Sequence, residues 1–273
     1  MTVLETTGHV ALRVTLSGGE VTVEATDARN VDIELVPLRD NDVTRQAIAE
    51  ARVEMTERGG GHEVVVQIGK KSGFWIGRGA KVGVRVRCPR GSDLCLRASS
   101  ADLDATGTLG AVDVKTASGD VSLEDVARVE LNTASGDLRV RDVDGAVDFR
   151  TASGDATVRR CGGLLSANLV SGDLSVGEAA AGLAVTTVSG DVRVHAAGGG
   201  GIRIQAVSGD VHLAIKPGER LYIDANSVSG TMSSELGLED GPPADSTIPV
   251  SEVRVRTVSG DLQIVRAAAS TPG

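Results

Sequence analysis

From about residue 98 onward, apolar and polar residues alternate in short bursts. Val121 and Leu123 flank Ser122, Val129 and Leu131 flank Glu130, and the spacing returns at Leu138/Val140, Val147/Phe149, Leu174/Val176 and Leu183/Val185. Alternation with period two sends one row of side chains to a buried face and the next to water, so each burst predicts a short strand. No stretch there sustains a 3.6-residue period, which excludes crossover helices and with them a βαβ fold.

The strands are punctuated by one phrase. Ser118-Gly119, Ser135-Gly136, Ser153-Gly154, Ser171-Gly172, Ser189-Gly190 and Ser208-Gly209 are followed by further Ser-Gly pairs at Ser229 and Ser259, in steps of 17, 18, 18, 18, 19, 21 and 30 residues. A degenerate copy, Ala98 to Leu103, precedes them, aligned with Thr116 to Val121. A unit of ~18 residues with two strands and two corners fits one coil of a parallel β-solenoid, so the predicted fold is all-β and β-helix-like. One coil buries too few aliphatic side chains to offset its own ordering entropy, so coils must stack. An antiparallel meander or sandwich would not need the same corner residues at every turn.

The ends depart from the repeat. Residues 1–97 read as the start and cap of the solenoid, 98–266 as the repeat array and 267–273 as a frayed tail. Leu16 to Ala25, LSGGEVTVEA, echoes the corner and following strand, and Val31 to Leu35 reads as the second strand of that early coil. Asp42 to Ala51 predicts a short helix with Asp42 at its N-cap. ARVEMTE and HEVVVQI predict two strands joined at Arg58-Gly59-Gly60-Gly61. GFWIGRG holds two of the four aromatic residues, Phe74 and Trp75. Gly241-Pro242-Pro243, inside the long step from Ser229 to Ser259, forbids a continued strand and predicts an excursion loop.

Composition narrows the core and the partners. With four aromatics among 273 residues, 41% hydrophobic content has to come from aliphatic side chains, which suits a thin interior of stacked rows. A net charge of −9 argues against nucleic acid or an anionic membrane as partner. No apolar run spans a bilayer, and the start MTVLETTGHVALRV has no cationic region followed by a hydrophobic stretch. A cytoplasmic chain is the expectation, with export by a non-classical route left open. The three cysteines, Cys88, Cys95 and Cys161, are an odd count without metal-ligand spacing and read as reduced thiols.

Catalytic motifs do not stand out. His9, His62, His195 and His212 lie far apart in sequence, His195 and His212 on outward strand positions, and a base needs an oriented partner. Gly198 to Gly201 lacks the Lys of a phosphate-binding loop. Cys161 follows Arg159 and Arg160, yet it sits where Val126 and Val143 sit in earlier units and reads as a buried spacer. The remaining chemistry is a column of acids: Asp102, Asp120, Asp137, Asp155, Asp173, Asp191, Asp210 and Asp261, interrupted by Thr231. Stacked about 4.8 Å apart, bare carboxylates repel, so something compensates them. Three compensations are open: turn amides accepted at the corner, bound cations such as Ca²⁺, or a partner offering positive charge or sugar hydroxyls.

TASGDVSLEDV, TASGDLRVRDV and TASGDATVRRC, preceded by RVRCPRGSDLCLRASSADL, resemble the bacterial β-strand-repeat adhesin family, a domain of unknown function. The resemblance covers about residues 80 to 266. It implies a repeat-built β-solenoid with an adhesin-like role and carries no catalytic residues. The expected function is therefore a non-enzymatic structural or interaction protein, without cofactor or metal, presenting a polar acidic face to a protein or glycan and assembling end to end with copies of itself. Two alternatives stand beside it: a β-helix polysaccharide lyase or hydrolase, and a Ca²⁺-dependent binding module.

Overall fold

Alternating aliphatic residues at eighteen-residue spacing can close a core only if equivalent strands lie side by side, and the computed structural model shows them doing so. It describes residues 2–6, 8–69, 79–217, 221–236 and 251–267. Contacts divide the chain into two units, Met1–Arg141 and Asp142–Gly273, each nearly all β and built as parallel β-solenoid coils. A coil has two walls: one strand leads into the Ser-Gly corner and the other follows it. GFWIGRG apart from its last glycine, most of the Gly-Pro-Pro loop and all but the first residue of the tail lie outside the described residues.

In the first unit the order is β1 (Thr2–Glu5), β2 (Val10–Thr26), β3 (Asn30–Pro37), α1 (Asp42–Ala49), β4 (Arg52–Arg58), β5 (Gly61–Gln67), β6 (Val82–Pro89), β7 (Asp93–Ser118) and β8 (Val121–Ser135). Strand β9 (Leu138–Val143) begins in it. Stacking order differs from chain order. β2 runs along both walls of its coil and pairs in parallel with β7, Val14 opposite Leu96 and Val23 opposite Ala105. Its other side pairs in parallel with β5 and β6, Val14 opposite Val66 and Val23 opposite Val86. The coil of β5 and β6, later in sequence, thus lies outside β2.

That outer coil is finished by antiparallel strands: β3 along β6, β1 along β3, and β4 along β5. β4 carries Arg52, Glu54, Glu57 and Arg58, and charges on an edge strand discourage further pairing. The β4–β5 turn uses Gly59 and Gly60 with φ of 61° and 84°, the left-handed pair that a two-residue hairpin loop favours. Helix α1 covers part of this end, with Thr44 and Ala47 buried. Its N-cap is Asn41, not Asp42. Asn41 has extended backbone and its Oδ1 accepts from Thr44 N at 2.7 Å, which leaves Asp42 in the first turn facing the helix dipole. Val31 to Leu35 also departs from expectation. These residues belong to β3 and run antiparallel to β6, while the companion of Leu16 to Ala25 in the coil is the upstream part of β2. Alternation predicts a strand without naming its partner.

The second unit contains β10 (Val147–Ser153), β11 (Ala156–Cys161), β12 (Leu165–Ser171), β13 (Leu174–Ala179), β14 (Leu183–Ser189), β15 (Val192–Ala197), β16 (Ile202–Ser208) and β17 (Val211–Ile215). β18 (Leu221–Ser229), β19 (Met232–Ser234), β20 (Ser251–Ser259) and β21 (Leu262–Arg266) complete it. The wall before the corner stacks β10, β12, β14, β16, β20 and β18, and the wall after it stacks β11, β13, β15, β17, β21 and β19, all parallel. Here too the order is exchanged. β20 and β21, last in the chain, pair on one side with β16 and β17 and on the other with β18 and β19. The 30-residue step therefore carries the chain from the outer coil back to an inner one.

Rows of equivalent side chains fill the space between the walls. Leu165, Leu183, Ile202 and Val253 form one row and Ala167, Val185, Ile204 and Val255 the next, none more than 2% exposed. In the outer coil the equivalents Ile223 and Ala225 are only half-buried. Coils approach so closely at the corners that a side chain has no room. At Gly172 φ is +130°, and an added Cβ would stand 2.1 Å from Gly154 O of the neighbouring coil. Gly172→Ala is expected to cost about 3 kcal/mol through backbone strain and lost inter-coil bonding, and Ala152→Ser, on an exposed strand position, less than about 0.5 kcal/mol; urea unfolding midpoints of the two variants measure the difference.

Candidate functional site

Three inter-coil bonds define each corner. In the second unit Gly172 N donates to Ser189 O at 3.1 Å, and Leu174 N donates to Asp191 O at 2.9 Å. Between those rungs the bend leaves the N–H of the intervening residue without a carbonyl. The neighbouring carboxylate supplies it: Asp191 N donates to Asp173 Oδ1 at 2.8 Å. The same bond runs from Asp173 N to Asp155 at 2.8 Å, from Asp210 N to Asp191 at 2.9 Å and from Asp261 N to Asp210 at 2.8 Å. In the first unit it joins Asp120 N to Asp102 at 3.0 Å and Asp137 N to Asp120 at 2.9 Å. Each acid is a side-chain rung in a backbone ladder.

The column of acids is thus a line in each unit, and every Oδ1 named above accepts a backbone amide. Such charge-assisted bonds offset repulsion between neighbouring carboxylates. Some second oxygens meet arginines, Asp137 Oδ2 with Arg139 at 2.9 Å and Asp191 Oδ2 with Arg193 at 2.7 Å. Thr231 does not interrupt the line. Because its coil is outermost, it ends the line, with Thr231 N donating to Asp261 Oδ1 at 2.8 Å. Among the described residues no further coil N–H follows it, so an acid there would have no amide to accept.

The residues around the acid complete the corner. Thr151 Oγ1 donates to Ser153 O at 2.9 Å and accepts from Ser153 N at 3.1 Å, and Thr116 Oγ1 donates to Ser118 O at 2.7 Å. Ser135, Ser153, Ser171, Ser189 and Ser208 are exposed and Ser118 half-buried, while Gly119, Gly136, Gly154, Gly172, Gly190 and Gly209 all have positive φ.

Outward positions also form rails. On the wall before the corner, Val170, Val188, Val207, Val258 and Val228 stack in register, each between 46% and 78% exposed. Two residues earlier stand Asn168, Thr186, Gln205, Arg256 and Asn226, all exposed. An apolar rail beside a hydrogen-bonding rail is a surface that neither solvation nor core packing accounts for.

The histidines separated in the sequence are partly gathered. His195 and His212 line one groove on the wall after the corner, together with Arg159, Arg160 and Glu178. Eighteen-residue spacing brings them there: Arg160 lies opposite Glu178 and Glu178 opposite Ala196. His9 instead pairs with Asp93 at 2.8 Å in the first unit. Among the described residues no three His, Cys, Asp or Glu side chains stand close enough to hold a metal ion, and no helix is long and apolar enough to cross a membrane.

The cysteines are free. Burial pushes the Cys88 thiol up to about 11, against a smaller lowering by its hydrogen bond to Ser92. Burial likewise raises Cys161, whose Sγ reaches Gly163 O at 3.3 Å and which faces inward opposite Ala179. Both thiols stay protonated at neutral pH, so the adjacent arginines do not make Cys161 a nucleophile.

A family model described as Toastrack DUF4097 matches residues 9–265. Among solved structures, the chain is similar to a "putative adhesin" from Bacteroides fragilis at 10% identity, over 96% of this chain and 95% of that one, with a TM-score of 0.42. A "putative adhesin" from Parabacteroides distasonis shows 12% identity over 96% and 95% of the two chains, with a TM-score of 0.40. A "putative cell adhesion protein" from Clostridium sporogenes shows 11% identity over 94% and 92%, with a TM-score of 0.28. No match is found among curated proteins.

The rung geometry separates the acid's hydrogen bond from its charge. Asp173→Ala is expected to lose about 1 kcal/mol by leaving the Asp191 amide without its acceptor, and Asp173→Asn, whose amide oxygen accepts the same bond, less than about 0.5 kcal/mol; equal losses on urea unfolding would show that charge matters instead. For the thiols, alkylation of the native protein at mildly alkaline pH followed by mass spectrometry is expected to label half-buried Cys95 and spare Cys88 and Cys161, with all three labelled after unfolding.

Proposed function

The chain belongs to the Toastrack DUF4097 family, and from that premise we propose that it is a non-enzymatic, adhesin-like interaction protein whose β-solenoid walls present repeated polar rails to a protein or glycan. The observation that carries this reading is the in-register pairing of an exposed valine rail with a rail of amides, a hydroxyl and a guanidinium on the second unit. Repetition at about 4.8 Å suits a partner that is itself extended, because each coil repeats nearly the same contact and weak contacts add. The corner acids are the acidic element of this surface, with their Oδ1 atoms occupied by amides and the Oδ2 of Asp191 paired with Arg193.

Catalysis asks for a different arrangement, in which one-of-a-kind groups converge on one reacting atom. The rails distribute their chemistry along the stack. Beads carrying the protein are expected to retain ligands from arrays of extended glycans and proteins. A Val188→Lys/Val207→Lys variant should reduce retention about tenfold, with a Tm within a few degrees of the parent, because both positions are exposed. Retention unchanged by the double variant, or shortening of any polysaccharide during incubation, overturns the reading.

A further inference from the structure

The groove holding His195 and His212 lies where the second unit departs from its own repeat. Arg159, Gly177 and His195 occupy successive outward positions of β11, β13 and β15, a column that changes from a long cation to no side chain and then to an imidazole and ends on β17 at buried Ala214. At Gly177 an added Cβ would stand 2.3 Å from Arg159 O, so the glycine answers a close approach of the two backbones and leaves no side chain between Arg159 and His195. Ala196, beside His195, and Ala214 keep the floor low.

A local irregularity marks the same place. Val194 lies opposite Leu213 and Ala197 opposite Ile215, so two residues, His195 and Ala196, face the single residue Ala214. β11 and β13 carry the same outward pair, Arg159-Arg160 and Gly177-Glu178, in register with it, so β17 is one residue short here, and such ladder irregularities are frequent next to functional sites. The wall is otherwise in register in the described pairings of this unit, so the ladder is broken at the histidine.

Ion pairs fix the rim. Arg159 and Arg160 both bind Asp142, Arg160 at 3.0 Å. Lys216 reaches past the intervening coil to Glu178 Oε1 at 2.5 Å. Arg266 is exposed at the rim. Arg159, Arg160, Lys216 and Arg266 stand against Asp142, Asp144 and Glu178, an excess of one cation on a chain whose net charge is −9. Planar guanidiniums match carboxylates, and a low floor of glycine and alanine admits a flat ring face. The imidazoles of His195 and His212 offer hydrogen bonds to hydroxyls.

We propose that this groove binds a sugar carrying a carboxylate, a uronate residue of an acidic polysaccharide, with Arg159 and Arg160 directed to the carboxylate, His195 to a hydroxyl and Gly177–Ala196–Ala214 beneath the ring. It rests on the reading of the protein as a binder and adds a second surface and a ligand class. A sugar is favoured over an acidic peptide because the groove joins hydroxyl-seeking imidazoles to a flat small-residue floor, while the wall strands around it are already paired and offer no edge for an extended peptide.

The test is calorimetric titration of the whole chain with oligogalacturonate, a neutral galactan oligomer and oligoglutamate, with reducing ends monitored in parallel. Binding of oligogalacturonate at least about tenfold tighter than of the other two is expected. Arg160→Gln and His195→Ala should each weaken it about tenfold, and Ala196→Glu, which puts bulk and negative charge on the floor, should abolish it. Val188→Lys, on the other wall, should leave it unchanged. Absence of binding, equal binding of oligoglutamate or galactan, or indifference to the three groove variants overturns this proposal and leaves the rail surface untouched. Release of new reducing ends overturns instead the non-enzymatic reading.

Discussion

A parallel coil has to turn sharply twice in each circuit, and at a sharp turn the ladder of amides and carbonyls loses step. An unpaired backbone group there would recur in every coil, so its cost would multiply with the length of the stack. The corner meets this with one side chain: the carboxylate of each Asp takes the amide of the next, between two ordinary backbone rungs. Positive-φ glycine lets neighbouring backbones close to contact, and Thr116, Thr133, Thr151 and Thr257 donate their hydroxyls to the carbonyl of the serine two residues on, a bond that buried Thr187 does not make. Walls, aliphatic rows and outward rails all inherit their register from that joint.

A stack held by identical joints has an obvious weakness at its ends, where the last coil has a neighbour on one side only. Both units handle this by the path of the chain. In the first, β2 is enclosed between a later coil and β7, and antiparallel β1, β3 and β4 with helix α1 finish the outer side. In the second, the last two strands of the sequence return to an inner position, paired on both sides. Fraying of a chain terminus is easiest when its strand is also the outermost. In the second unit β20 and β21 therefore lie inside the stack, whereas in the first β1 pairs only with β3 among the described pairings and is itself an edge.

Much of this was legible in the sequence because periodicity constrains local geometry directly. Val121/Leu123 and Leu174/Val176 declare buried rows, and repeated Ser-Gly-Asp declares a shared bend. Stacking order was not legible. Pairing depends on matching registers, and since the coils carry nearly the same register signal, nothing local distinguishes Leu221–Ser229 as outer from Ser251–Ser259 as inner. The same degeneracy explains why Val31–Leu35 read as part of a coil, and why Thr231 seemed to interrupt a line that it ends. The histidine groove was hidden for a related reason. His195 and His212 are neighbours only once β15 and β17 pair, and the irregularity between them follows from an offset that changes from 19 at Val192/Val211 to 18 at Ala197/Ile215.

Repetition also tells where to look for function. A residue that recurs in every coil is explained first by what every coil needs, and the acids, glycines and threonines of the corner are accounted for in that way. A residue that breaks the repeat receives no such explanation from the stack. His195, Ala196 and Glu178 hold outward wall positions where the fold requires only tolerance of water, and they lie beside the irregularity that disturbs the ladder. Outward positions carry the least structural constraint in a solenoid. Departures concentrated on one stretch of one wall therefore point to something outside the fold, and cations around a bare floor define its chemistry more narrowly than the acidic composition of the whole chain.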